Sequence, residues 1–212
     1  MDKRYAIFDM DGTLVDSMGW WHRLGQDYLE SRGVRPTAAQ LSPLGPMTML
    51  EGARYCKELF RLPGDPEDMA AEMHAMMDDH YRRDIPLKPG VLDYLASLKD
   101  RGARCCVATA TAAPLARACL TRLGAAGYFD FLLSCETTGT GKTRPDIYLE
   151  AARRFGAAPG DIAVFEDAYY AAKTAADAGF YVVGVFEEAY APDWEALAAL
   201  ARETVFDWRT AL

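Results

Sequence analysis

A doubly wound, parallel α/β sheet, interrupted early by an all-helical insert, is the fold this sequence predicts. Three observations predict it. From residue 91 onward, short apolar runs alternate with stretches of 3.6-residue periodicity, the pattern of parallel strands joined by crossover helices. Glycines follow those helical stretches, where a chain leaving a helix needs a left-handed residue. Between the first apolar run and residue 91 the pattern changes, and residues 17–84 show helical periodicity with no convincing strand.

The first strand is read at 5–8, Tyr5-Ala6-Ile7-Phe8, and it ends on the acidic run Asp9-Met10-Asp11-Gly12-Thr13. Further strands are read at 105–108, ending at Thr109; at 131–133, ending near Ser134; at 162–165, ending on Glu166-Asp167; and at 181–186. Helices fall between them at 91–100, 114–123, 145–155 and 169–178, followed by Gly102, Gly124, Gly156 and Gly179. The insert reads as helices over 17–32, 47–60 and 66–83, with a short one near 37–41. Pro86, Pro89 and Gly90 mark the return to the sheet. A C-terminal helix at 193–202 and a short tail complete the reading. The expected organisation is a core of 1–15 and 86–212 with a separate helical domain at 16–85.

The chain has 212 residues, half of them hydrophobic and a quarter charged, enough to bury an ordinary core plus an insert. The net charge of -8 and pI near 4.9 argue against nucleic acid as a partner, because phosphate backbones select basic surfaces. One cleft can still be basic enough for a small phosphate. Five cysteines without a CxxC pattern are read as reduced thiols, and the expected compartment is the cytoplasm. No apolar run approaches the roughly 20 residues of a membrane-spanning helix, so no membrane partner is expected.

Ligands of open α/β sheets bind at the carboxyl ends of the strands, beside a switch in strand order. Here those ends carry Asp9 and Asp11, Thr109, and Glu166 with Asp167, while Lys142 lies in the loop before the helix at 145–155. One carboxylate can attack a phosphoryl group, and a second can protonate the leaving oxygen and then activate water. Hard oxygen ligands can hold a magnesium ion that removes the repulsion between phosphate and carboxylate. Asp9 and Asp167 suit that role, with Glu166 as an alternate ligand or as the group that orients Lys142. Lys142 supplies positive charge to the phosphoryl oxygens, Thr109 a hydroxyl donor, and Gly12 a sharp turn of backbone N–H groups.

The run Asp9-Met10-Asp11-Gly12-Thr13-Leu14-Val15-Asp16-Ser17 resembles the first motif, DxDGTLxDS, of the haloacid dehalogenase superfamily. Cys106-Val107-Ala108-Thr109 resembles its second motif, Gly141-Lys142-Thr143-Arg144-Pro145-Asp146 its third, and Phe165-Glu166-Asp167 its fourth. The resemblance spans essentially the whole chain. It implies a Rossmann-like core with an α-helical cap domain of the beta-phosphoglucomutase-like type. It also implies a magnesium-dependent phosphatase acting on a small phosphorylated metabolite. Asp9 would be the nucleophile and Asp11 the general acid/base. Thr109, Ala110, Lys142, Met10 and Asp11 would bind phosphate, and Asp9, Asp11, Asp167 and Glu166 would bind the metal.

Departures from the family pattern are informative. Thr143 stands where Pro is usual, and Ala168-Tyr169-Tyr170-Ala171 where Ser and then Gly are usual, so two aromatic rings can narrow the site or stack against it. Leu44-Gly45-Pro46-Met47-Thr48-Met49 has no Arg to grip a distal phosphate, which favours a phosphatase over a sugar phosphate mutase. A non-enzymatic phospho-acceptor domain would be shorter and lack the insert. The run Thr138-Gly139-Thr140-Gly141-Lys142-Thr143 imitates a nucleotide-binding P-loop, but Glu136 stands where its first glycine belongs. Met69, Met73, Met76 and Met77 are read as insert packing, with the lining of a substrate cleft as the alternative. His22, His74 and His80 form no ligand pattern, and Arg54, Lys57 and Arg61 are read as a solvated face, with a grip on an anionic substrate tail as the alternative. One of Trp20 and Trp21 is expected to pack in the insert, the other to be open to a substrate ring.

Overall fold

The computed structural model describes residues 2–44, 47 and 49–211. It divides into two compact units, one of 1–16 and 85–212, the other of 17–84.

The first unit is built on a six-stranded, all-parallel sheet: β1 (Tyr5–Phe8), β2 (Arg104–Thr109), β3 (Phe131–Ser134), β4 (Ile162–Glu166), β5 (Tyr181–Val185) and β6 (Glu203–Val205). Its order is β3-β2-β1-β4-β5-β6, so the chain switches direction between β1 and β4. These two central strands are apolar and buried almost throughout, as strands covered on both faces must be. Successive side chains go to opposite faces. Ile7 and Val164 meet a core of Cys106, Ala108, Leu133, Tyr148, Ala172 and Phe180. Phe8 and Phe165 point the other way, stacked at 4.3 Å between ring centroids, with Tyr94 and Trp208 against Phe165.

Among the described residues, ten α-helices belong to the two units as follows. The second unit holds α1 (Met18–Ser31), α2 (Ala38–Leu41), α3 (Met49–Phe60) and α4 (Pro66–Arg83). The first holds α5 (Val91–Asp100), α6 (Ala113–Arg122), α7 (Cys135–Thr138), α8 (Asp146–Phe155), α9 (Tyr169–Asp177) and α10 (Trp194–Leu200). Gly102, Gly124, Gly156 and Gly179 all have positive φ, as the C-terminal positions they occupy require.

The reading of the C-terminus is corrected. The predicted helix 193–202 is only Trp194–Leu200, and the tail beyond it supplies an edge strand and a core side chain. β6 has three residues, two of them polar, so it gives no apolar run to read. Trp208, buried, donates its indole N–H to the Thr13 carbonyl at 3.1 Å. It thereby ties the last residues of the chain to the loop after β1.

In the second unit, α4 packs on α1 and α3. Asp65 caps α4 by accepting the Glu67 N–H, with Pro66 in the first turn. Met69, Met73 and Met77 are buried in this unit, and Met76 is half-buried. Trp21 donates to the Tyr81 hydroxyl at 3.0 Å, while Trp20 lies against the His80 ring at 4.0 Å. Arg54 pairs with Glu67, and Lys57 donates to the Gly64 carbonyl. Of the segment read as the counterpart of the mutase phosphate grip, Gly45, Pro46 and Thr48 lie outside the described residues.

Candidate active site

The loop after β1 starts as an extension of the sheet. The Asp9 N–H donates to the Phe165 carbonyl at 3.0 Å, which sets Asp9 beside the end of β4. The chain then turns tightly: Leu14 and Val15 N–H groups both reach the Met10 carbonyl, and Gly12 adopts φ 78°. Val15 bridges to Leu87 and the Asp16 N–H donates to Pro86 at 3.0 Å, so the outgoing and returning chain are fastened together.

Four of the predicted residues meet at the switch point. Asp9, Lys142, Glu166 and Asp167 are all buried. Lys142 Nζ forms ion pairs with Asp9 Oδ1 and, at 2.7 Å, with Glu166 Oε1. Carboxylate oxygens of Asp9, Glu166 and Asp167 lie within 4.8 Å of one another. Asp167 Oδ1 accepts the Thr13 hydroxyl at 3.0 Å, and its Oδ2 is the one buried side-chain oxygen among the described residues without a hydrogen-bond partner. An orphaned buried acceptor inside a carboxylate cluster is costly unless a cation completes it. These three carboxylates therefore fit a hard divalent ion.

The charges bear the mark of that crowding. Burial pushes the Asp9 carboxyl well above its ordinary value; Lys142 opposes this, and Glu166, Asp167 and Asp11 add to it. Burial, then the charge of Glu166, raises Asp167 to about 7. Burial alone would lower Lys142, but Asp9 and Glu166 outweigh it and hold the ammonium above its usual range.

Asp11 and Thr109 form a second group. The Thr111 hydroxyl donates to Asp11 Oδ2 at 2.7 Å, whereas Thr109 Oγ1 is at 3.5 Å from the same oxygen. Thr109 accepts the Thr111 N–H at 3.0 Å. Asp11 is not among the carboxylates that converge as a metal group. The Met10 side chain is buried, and Ala110 is exposed just beyond β2.

Sequence reasoning passed over three contacts. Tyr148 donates its hydroxyl to Glu166 Oε1 at 2.7 Å; Thr13 holds Asp167; Thr111 holds Asp11. Thr13 and Thr111 carried a weak signal, since each lies two residues from a site residue, but Tyr148 reads only as another apolar-face residue of α8. Of the two aromatics after Asp167, Tyr169 packs against the core, and Tyr170 is half exposed. Burial, then Glu166, pushes the Tyr170 phenol up to about 12.

A family model described as haloacid dehalogenase-like hydrolase matches residues 3–179. The chain is similar to the fructose-1-phosphate phosphatase YqaB of Escherichia coli (strain K12), 29% identical over 187 residues, covering 87% of this chain and 98% of that one. It is also similar to hexitol phosphatase B of the same organism, 30% identical over 165 residues, covering 76% and 74%. A solved structure titled as a putative beta-phosphoglucomutase from Thermotoga maritima aligns with TM-score 0.82 and 25% identity, covering 97% of this chain and 95% of that one.

Proposed function

The chain belongs to the haloacid dehalogenase-like hydrolases, and on that premise we propose that it hydrolyses a small phosphomonoester through an aspartyl phosphate on Asp9, with magnesium as cofactor. The observation that carries this reading is the pairing of Asp9 with Lys142 inside a buried carboxylate cluster whose Asp167 Oδ2 has no partner.

Asp9 and Asp167 would hold the ion, with Glu166 beside them. Bound magnesium supplies charge neutralisation between the incoming phosphoryl group and the carboxylates. Lys142 turns an N–H toward the phosphoryl oxygens, and Thr109 offers its hydroxyl to the same group. Asp9 attacks phosphorus; the new carboxylate–phosphorus bond forms as the ester P–O bond breaks. Asp11 gives its proton to the leaving alkoxide. The ionised Asp11 then takes a proton from water, whose oxygen attacks phosphorus and releases inorganic phosphate, restoring Asp9. The Thr111 hydroxyl keeps Asp11 oriented for both transfers.

The relatives named for fructose 1-phosphate and hexitol phosphates make phosphorylated sugars and polyols the first substrates to try. We assign the helical unit of 17–84 the role of a substrate-selecting cap. The five unpaired cysteines suit a reducing compartment, and cytoplasmic placement belongs to the same proposal. No helix among the described residues is long and apolar enough to cross a membrane.

The test is phosphate release from a panel of phosphomonoesters, with and without magnesium, for the native chain and Asp9→Asn. Magnesium-dependent release that falls by at least about 1,000-fold in the variant is expected. Equal release by the variant would remove Asp9 from the mechanism.

A further inference from the structure

We propose that the Tyr148 hydroxyl is a positioning group for this chemistry, acting through Glu166 to aim the ammonium of Lys142; the proposal rests on the phosphatase reading above. Tyr148 is the third residue of α8 and has no exposed surface. Its ring packs near Phe180, at 6.0 Å between centroids, in the core beneath the sheet. A buried phenol needs a partner, and the partner here is Glu166 Oε1, at 2.7 Å. The same oxygen accepts Lys142 Nζ at 2.7 Å.

This shared oxygen has a geometric consequence. An ammonium has three N–H donors in a fixed tetrahedral arrangement. In Lys142 one is given to Asp9 and one to Glu166, which fixes the direction of the third. That third donor is the one the proposed mechanism turns toward the phosphoryl group. Its aim is only as good as the placement of Glu166. With Lys142 as sole donor, the Glu166 carboxylate could rotate and carry the ammonium with it. With Tyr148 on the same oxygen, from a helix packed into the core, the carboxylate is held from two directions. Glu166 then serves mainly to orient Lys142, leaving Asp9 and Asp167 as the principal ligands for the ion.

Tyr148→Phe deletes one oxygen and keeps the ring. It should lower kcat about ten-fold with KM rising no more than about three-fold, the pattern of a lost contact that matters most in the transition state. In a Glu166→Gln background, the same substitution should change kcat less than about two-fold, because the hydroxyl acts only through that carboxylate. A thermal melt of each variant accompanies the kinetics. Binding of inorganic phosphate in the presence of magnesium, followed by calorimetry, reads the same ammonium without turnover. It should weaken about three-fold in Tyr148→Phe and not further in the double variant. Unchanged kcat and phosphate binding in Tyr148→Phe would overturn the proposal. So would an equal loss in both backgrounds, or a chain that no longer folds, since either assigns the hydroxyl to stability. A native chain that binds phosphate but hydrolyses no phosphomonoester would instead defeat the phosphatase reading, and the binding arm would still decide the role of Tyr148.

Discussion

Asp167 is buried with one oxygen on Thr13 and the other on nothing, so the site is built at the expense of the fold. A carboxylate in that position is disfavoured by desolvation and by Glu166. Asp167→Asn removes the charge while keeping the shape. The magnesium-free protein should then melt about 3 °C higher or more, and added magnesium should no longer raise the melting temperature, as it does in the native chain. A variant with the native response to magnesium would show that Asp167 does not hold the ion. The cysteines allow a second residue-scale expectation. Burial pushes Cys119 up to about 11 and Cys105 up to about 12, and raises Cys106 well above its ordinary value; only the thiolate reacts with a disulfide reagent. Native protein at pH 8 should therefore label first at the half-buried Cys135, with the four buried thiols reacting at a free-thiol rate only after denaturation. The acidic residues and Lys142 are legible in the sequence because each stands at a strand end or just before a helix. Tyr148 is not, because its pattern in α8 is that of any core side chain, and its one polar contact spans 18 residues.

At the scale of elements, the core helices α5, α6, α8 and α9 and the strands β1 to β5 follow from apolar runs, periodicity and glycine stops that are local in the chain, whereas the four-residue α7 is too short to show a period. β6 does not, since three residues with two polar side chains become a strand only when β5 offers its free edge. The neighbouring segment also explains Gly90, which caps α5 with φ 92°. A Cβ there would lie 2.6 Å from the Arg209 nitrogen and 2.7 Å from the Trp208 carbonyl carbon. Both the left-handed backbone and the backbone clash resist any side chain. Gly90→Ala should destabilise the protein by about 2–4 kcal/mol, read as a lower urea midpoint with an unchanged slope. A loss under about 0.5 kcal/mol would mean that the 208–210 turn shifts freely. The sequence shows Gly90 as a break in the chain; that Trp208 and Arg209 crowd it is visible only once the C-terminus is in place.

For the whole molecule, the chain leaving the first unit and the chain returning to it are fastened together within that unit, where Asp16 bonds to Pro86 and Val15 bridges to Leu87. Replacing residues 17–84 with a short Gly-Ser link should therefore leave a first unit that folds, measured by circular dichroism and a cooperative melt that magnesium shifts upward. Failure to fold would show that the helical unit is needed for the stability of the sheet. Taken by itself, the sequence determined the α/β class, the helical insert and the residues presented at the strand ends. Those depend on periodicity, turn chemistry and strand termini, which are written over a few neighbouring positions. Tertiary structure alone decided the strand order, the added edge strand, the seating of Trp208, the solitary oxygen of Asp167 and the grip of Tyr148 on Glu166. Each of these arises from registry between segments far apart in the chain, where packing and hydrogen-bond satisfaction act, and no local pattern encodes them.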